Sequence, residues 1–488
     1  MKKEDKILST KSALIYAIGI FGVQVFIGYM NSFQTEFYNK MYSGFDKNIF
    51  YASAIIIFAA KVISCIFDPL IGAMIDKSGL KGGKMRPWIL RSAFPIAILT
   101  TVIFIYVPFE NFGSNGKIFL YAYITVTTVL WNIAMSFADI PSQGMLSLLS
   151  PNVEERNVAA SFSNIAKSVA LAAPGVFVTI VMLILSAIKG EGNYPDKEYY
   201  LVTALVFLVL GTFCYLLIYF FNREKVPSSQ SAKTISIKEM VEELKTNKMI
   251  LIVFLMNILG FARGMGSIIC VQVYGALIGK VNLFGMTFDT TADATWLPGI
   301  LGAVSGFIGI CLIPSINKKF GEKKTYISFS VATFIYTIIL CVGYWCIPEG
   351  SIFRYGNPAL YIFIASQFIC GFLMSANSYV PLVMTADIVD YQLYKTGKRK
   401  EGVNFAILSM AIKLGNALSV VVGLLFIAVS GYTQVVYETG NIPVKMQNII
   451  VLGYTAFIGF SAFLSAIPVF FYKIDKKTKE EMHKAISK

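Results

Sequence analysis

Apolar runs of 18 residues or more recur along nearly the whole chain, separated by short polar stretches rich in Gly, Lys and Arg. Each run is long enough to cross a hydrocarbon layer of about 30 Å as a helix. The pattern predicts spans near 12–37, 49–75, 87–108, 117–149, 158–188, 199–221, 248–279, 292–316, 324–347, 358–386, 402–430 and 447–473. Six spans therefore precede a polar stretch over 222–247 and six follow it. The predicted class is an all-α polytopic membrane protein. Its predicted parts are an N-terminal six-helix half (1–221), a cytoplasmic linker (222–247), a C-terminal half (248–473) and a basic tail (474–488). The first run is too long for a signal-peptide core, so it is expected to be a retained span.

Within the linker, SIKEMVEELKTNK opens with a capping box from Ser236 to Glu239 and places Ile237, Met240, Val241 and Leu244 on one helical face. This predicts a short amphipathic helix lying on the membrane surface.

Composition fits the spans. Of 488 residues, 56% are hydrophobic and 14% charged, where a soluble domain carries roughly a quarter charged. The net charge of +14 has a topological origin: most of the 42 Lys and Arg fall on the side of the termini and the even-to-odd connections. That bias predicts cytoplasmic termini in a plasma (inner) membrane and attraction to lipid headgroups, with no role for nucleic acid. The seven Cys lie in apolar runs without CxxC spacing, and the single His, His483, is in the tail. Metal sites and His-based catalysis are therefore not expected, nor is any cofactor.

Charged residues at membrane depth cost about 2.5–3.5 kcal/mol each and mark function by default. They are Lys61 and Asp68 in span 2, Asp139 in span 4, Lys167 in span 5, Arg263 in span 7 and Lys413 in span 11. Lys61, Ser64 and Asp68 share a helical face, and Pro69 frees a carbonyl one turn back, so acid and carbonyl form a candidate cation site. In NIAMSFADIPSQG, residues Asn132, Ser136, Asp139 and Gln143 share a face beside Pro141. Lys413, with Ser409 and Asn416 alongside, requires an acidic partner, for which Asp68 and Asp139 are the candidates.

Several motifs together resemble the glycoside–pentoside–hexuronide:cation symporters, the melibiose permease group. They are Asp68-Pro69 followed by Gly83-Lys84-Met85-Arg86-Pro87-Trp88, and Asp139-Ile140-Pro141 followed by Glu155-Arg156. Further along come Asp387-Ile388-Val389-Asp390-Tyr391 with Gly397, Arg399, Glu401 and Gly402, then Lys413-Leu414-Gly415. Glu36-Phe37-Tyr38 resembles the end of the family's first span.

The resemblance implies a major-facilitator fold that takes up a sugar or glycoside with H⁺, Na⁺ or Li⁺ by alternating access. It implies cation-site roles for Asp68, Asp139 and Lys413; together with the residues read at membrane depth, the candidate cation site is Asp68, Asp139, Lys413 and Ser64, and the candidate solute site is drawn from Asp139, Gln143, Asn164, Lys167, Arg263 and Lys413. Arg156, Asp387, Asp390 and Arg399 resemble cytoplasmic gate charges. The partners expected are a sugar-like solute, a coupling cation and the bilayer, around a monomer.

The chain departs from the pattern at several positions. Ser64 stands where many members have a second acid, which favours H⁺ over Na⁺. Ile20 replaces the first-span acid, Gln143 the span 4 aromatic and Asn164 the span 5 arginine. A non-sugar amphiphile is the alternative cargo.

Overall fold

The computed structural model describes residues 8–77, 83–150, 153–189, 196–225, 237–265, 273, 281–283, 286–288, 296–354, 356–396, 401–430, 443–474, 478–479 and 481. Long helices follow from the apolar runs, since backbone N–H and C=O groups in lipid must be satisfied within their own segment. The first half comprises α1 (Thr10–Tyr42), α2 (Ile49–Lys77), α3 (Arg86–Ile103), α4 (Gly116–Leu148), α5 (Val153–Lys189) and α6 (Asp196–Phe221). The second comprises α7 (Ile237–Thr246), α8 (Lys248–Leu259), α9 (Trp296–Phe320), α10 (Glu322–Cys346), α11 (Asn357–Thr396), α12 (Glu401–Ser430) and α13 (Val444–Val469). Among the described residues, eight helices are long and apolar enough to cross a membrane, or nine if the bent α5 counts as one span.

Helix ends and bends have local causes. Ser9 caps α1 by accepting from the Ser12 N–H at 3.1 Å, and Asn247 caps α8 by accepting from the Met249 N–H at 3.1 Å. α5 bends by 42° near residue 172. Pro174 accounts for this, because its ring displaces the carbonyl of Ala170 and it offers no N–H in return. α1 packs against the bend through Gly28, where a Cβ would lie 2.7 Å from the Ala170 carbonyl oxygen.

Three elements differ from the sequence expectation. α3 ends at Ile103, short of 108, and a 3₁₀ turn follows at Phe109–Asn115. The seventh apolar run is helical to Leu259 and breaks in a 3₁₀ turn at Phe261–Gly264, while residues 266–272 and 274–280 lie outside the described residues; β1 (Val281–Leu283) and β2 (Met286–Phe288) then pair antiparallel. α11 continues to Thr396, beyond 386, so Asp387 and Asp390 lie on unbroken helix.

The expected linker helix forms over Ile237–Thr246. α7 docks on α8 and α12, with Met240 buried and Val241 exposed. Its most buried charge is Glu243, which accepts from Gln392 Nε2 of α11 at 2.7 Å and from Asn247 Nδ2 at 3.0 Å. These bonds tie the polar side of the helix to α11 and to its own C-terminal end. Ser236 of the capping box lies outside the described residues.

The chain divides into two compact units, Met1–Thr234 and Ile235–Lys488. One packing plan serves both. In the first, α1 packs on α5 and α6, α2 on α4, and α3 on α4 and α6. In the second, α8 packs on α12 and α13, α9 on α11, and α10 on α11 and α13. This is the same set of pairs shifted by one six-helix repeat. Such contacts rely on close backbone approach, since lipid supplies no hydrophobic drive between helices. A Cβ on Gly22 of α1 would meet the Tyr215 N of α6 at 2.4 Å, and one on Gly371 of α11 would meet the Gly302 carbonyl oxygen of α9 at 2.5 Å.

Candidate functional site: a polar chain across α1, α4 and α5

Pro141 gives α4 a weak point, because it leaves the Phe137 carbonyl without its helical N–H. Hydroxyls from other helices hold the surrounding turn. Tyr16 of α1 donates to the Ser142 carbonyl at 2.9 Å, and Tyr215 of α6 donates to the Ala138 carbonyl at 2.9 Å. Ser92 of α3 lies 3.1 Å from the Tyr215 hydroxyl. Asp139 projects from this braced turn.

The Asp139 carboxylate accepts from Gln24 Nε2 of α1 at 2.9 Å and from Gln143 Nε2 at 3.2 Å. The Gln143 carbonyl in turn accepts from Lys167 Nζ of α5 at 2.9 Å. Chemistry dictates the amide orientation: an ammonium only donates and a carboxylate only accepts, so oxygen faces Lys167 and nitrogen faces Asp139. The acid of span 4 and the lysine of span 5 are thus joined through one amide, which balances charge that would be costly alone at this depth.

A second polar layer lies toward the far end of the unit from its N-terminus. Ser64 Oγ of α2 lies 3.0 Å from Ser136 Oγ and 3.4 Å from the Asn132 carbonyl of α4. α2 and α4 cross in the same direction, so Asp68, one turn beyond Ser64, stands level with the Asp139–Ile140 turn. Lys61 Nζ donates to Asn31 Oδ1 at 3.3 Å, and Gln34 donates to Thr128 at 2.9 Å. Gln24, Asn31 and Gln34 line one face of α1. Sequence reading passed over them because they are uncharged; three amides recurring on one face of an apolar span were the available signal.

The remaining expected residues lie elsewhere. Asn164 is exposed on α5. Lys413 is half-buried on α12, while Ser409 and Asn416 beside it are exposed. Asp387 pairs with Lys479 of the tail at 2.5 Å, and Lys479 also reaches Glu322 at 2.7 Å. Asp390 is half-buried one turn further along α11. The Arg156 and Arg263 side chains and all of Arg399 lie outside the described residues.

The family described as MFS/sugar transport protein matches residues 15–476. With the motifs of spans 2, 4, 10 and 11 in place, that match decides the family. The chain belongs to the glycoside–pentoside–hexuronide:cation symporters of the major facilitator superfamily. It is a membrane transporter and not an enzyme.

Its relatives in this family are distant but extend over most of their length. An uncharacterised symporter of Bacillus subtilis, YjmB, is 26% identical over 92% of this chain and 89% of its own. The isoprimeverose transporter of Lactiplantibacillus pentosus is 26% identical over 88% and 84%. A glucuronide carrier protein homologue of Escherichia coli is 23% identical over 88% and 86%. Among solved structures, the E. coli xylose transporter XylE in a partially occluded inward-open conformation aligns with a TM-score of 0.59 at 13% identity, covering 96% of this chain and 99% of its own. The nucleoside transporter NupG aligns at 0.58 and 15% identity, covering 93% and 99%. Both show the major-facilitator fold.

Proposed function

We propose that this symporter-family member takes up a sugar, glycoside or glucuronide across the plasma membrane by alternating access, coupled to H⁺ in preference to Na⁺. The observation that carries the reading is the joined chain Gln24–Asp139–Gln143–Lys167. It sets an acid, two amides and an ammonium side by side within one half, the donor and acceptor mixture that sugar hydroxyls require. The names of relatives that carry isoprimeverose and glucuronide agree with a sugar-like solute.

The coupling ion is argued from Ser64. A neutral hydroxyl already engaged with Ser136 and the Asn132 carbonyl stands one turn before Asp68. That leaves Asp68 as the one carboxylate in the apolar part of α2, Asp76 lying at its end, and a single acid suits a proton, whereas Na⁺ needs several oxygens. In this reading Asp68, Asp139, Ser64 and Lys413 serve the cation, and Asp139, Gln143, Asn164, Lys167, Arg263 and Lys413 serve the solute. Arg156, Asp387, Asp390 and Arg399 serve the cytoplasmic gate of a monomer whose termini are cytoplasmic.

The test is counterflow in proteoliposomes against a panel of pentosides, hexosides and glucuronides. At least one should exchange, and Asp139→Asn should abolish accumulation of that solute. Exchange of none, or full accumulation by Asp139→Asn, would remove the proposal.

A further inference from the structure

Lys61 of α2 stands apart from Lys40 of α1 and Lys167 of α5. Lys40 lies 3.5 Å from Glu36, and Lys167 is joined to Asp139 through Gln143. Among the described residues Lys61 meets no carboxylate. Its one hydrogen bond runs to Asn31 Oδ1 of α1 at 3.3 Å, and Asp68 lies two turns further along α2. Lys61 and Asn31 are both half-buried, so neither is sealed into the packing between helices. An ammonium at membrane depth is tolerated only with a counter-charge or in a wet cavity.

The donor count indicates what that counter-charge is. An ammonium carries three N–H donors and no acceptor, and Asn31 takes one of them. Because the Asn31 oxygen faces the lysine, its N–H₂ is left to donate, and no described group accepts from it. The pair therefore offers donors alone. A sugar hydroxyl both donates and accepts, and the mixed chain Gln24–Asp139–Gln143–Lys167 suits it. A carboxylate only accepts, and the Lys61–Asn31 pair suits that.

Helix geometry sets the distance between the two places. Asn31 lies seven positions beyond Gln24 on the same face of α1, a rise of about 10 Å. A second route agrees. Ser64 meets Ser136, so Lys61, one turn before Ser64, and Asp139, one turn after Ser136, are about 9 Å apart along α2 and α4. Two linked sugar rings cover that span and a single ring does not.

We propose that Lys61, with Asn31 beside it, anchors the carboxylate of an acidic, two-ring solute whose hydroxyl-bearing end lies on the Asp139–Gln143–Lys167 chain. This deepens the proposed function by naming the charge and size of the solute, and it rests on that reading. A purely structural tie between α1 and α2 would need no charge, since a neutral donor on α2 would hold Asn31 as well.

The experiment is counterflow by the full-length protein in proteoliposomes. The probes are glucuronosyl-hexose disaccharides of differing linkage, each paired with its carboxyl-reduced counterpart, in which CH₂OH replaces the carboxylate. Half-saturation should come at a concentration about tenfold or more lower for the acid, the advantage of one charge-assisted hydrogen bond over a neutral one. Lys61→Met should cut that ratio to about threefold or less, and Lys61→Arg should keep most of it. Asn31→Asp leaves the lysine and its tie to α1 in place but gives the ammonium a carboxylate of its own, so the preference should again fall to about threefold or less. A structural role would change acid and reduced sugar by the same factor in every variant, and a ratio preserved in both Lys61→Met and Asn31→Asp would overturn the anchor. Equal handling of acid and reduced sugar by the unaltered protein would overturn it too. Exchange of neither series while another sugar or glycoside exchanges would overturn the anchor and leave sugar uptake standing. Exchange of no sugar at all would overturn both.

Discussion

Glu224 offers the sharpest test of how the first unit is held together. It lies just after α6, yet its carboxylate accepts from the backbone N–H groups of Lys84 at 2.9 Å, Met85 at 2.7 Å and Arg86 at 3.1 Å. Those are the amides that begin α3, so an acid from another helix caps it and meets the positive end of its dipole. Gly83 makes room: its φ is +117°, and a Cβ there would lie 2.6 Å from Glu224 Oε1. Arg86 closes the cluster by donating to the Tyr219 carbonyl at 2.6 Å. A lost cap costs about 0.5–2 kcal/mol, and hydrogen bonds to a charged group contribute about 1.5–3 kcal/mol each. With three half-buried donors that water partly re-satisfies, Glu224→Ala should destabilise by about 2–4 kcal/mol. Glu224→Gln keeps one carbonyl acceptor and should lose about half of that. Gly83→Ala should cost about 1–2 kcal/mol for the left-handed backbone and more for pushing the carboxylate off its amides. In the Glu224→Ala background only the backbone part remains, so the two substitutions should be sub-additive. Reversible unfolding in mixed micelles across the four variants measures this. A neutral Glu224→Ala, or strictly additive costs, would refute the capping role.

Other positions give independent checks. Lys40 is buried beside Glu36 at 3.5 Å, donates to the Tyr199 hydroxyl at 3.0 Å and lies over the Tyr199 and Tyr200 rings. Lys40→Met should therefore cost about 3–5 kcal/mol, and Glu36→Gln added to it should recover a good part, as unfolding of the double variant would show. At the loop after α1, burial works against ionisation of Asp46, but hydrogen bonds from the Tyr121 hydroxyl and the Asn48 N–H, with Lys117 nearby, outweigh it and hold the carboxyl below its ordinary range. A depressed folded value means stability that is present above the unfolded value near 3.9 and lost as pH falls through the folded one. The stability gap between the protein and Asp46→Asn should thus be constant from pH 8 to about 5 and shrink below about 4; a gap unchanged down to pH 3 would contradict it. Glu243→Ala should loosen α7 from α11, speeding amide exchange in α7 about 10- to 100-fold for a loss of about 1.5–3 kcal/mol, whereas unchanged exchange would mean that Met240 packing alone holds the helix.

Much of the architecture was legible because lipid imposes one rule on the backbone: long apolar runs become helices, and membrane-depth charges stand out against them. Asp139 and Lys167 were found that way. Their connection was not, because it depends on Gln143 and on Gln24, an uncharged residue 115 positions from Asp139. Neutral amides carry no insertion penalty large enough to flag them. Glu224 shows the same limit, since a cap contributed from 138 to 140 residues away leaves no local signature in GGKMRPW. The linker helix was legible, but its docking was not. Ile237, Met240, Val241 and Leu244 mark its apolar face, whereas the tie through Glu243 on the polar side depends on Gln392, 149 residues on. Resemblance to the family supplied what periodicity could not, namely which motifs of distant spans belong to one transporter.

The most direct test of the central claim is solute accumulation in proteoliposomes under an imposed gradient, using whichever sugar or glucuronide exchanges in counterflow. Proton-coupled symport predicts accumulation driven by a pH gradient, indifferent to Na⁺ and abolished by Asp139→Asn. A strict requirement for Na⁺, or accumulation unaffected by the pH gradient, would contradict it.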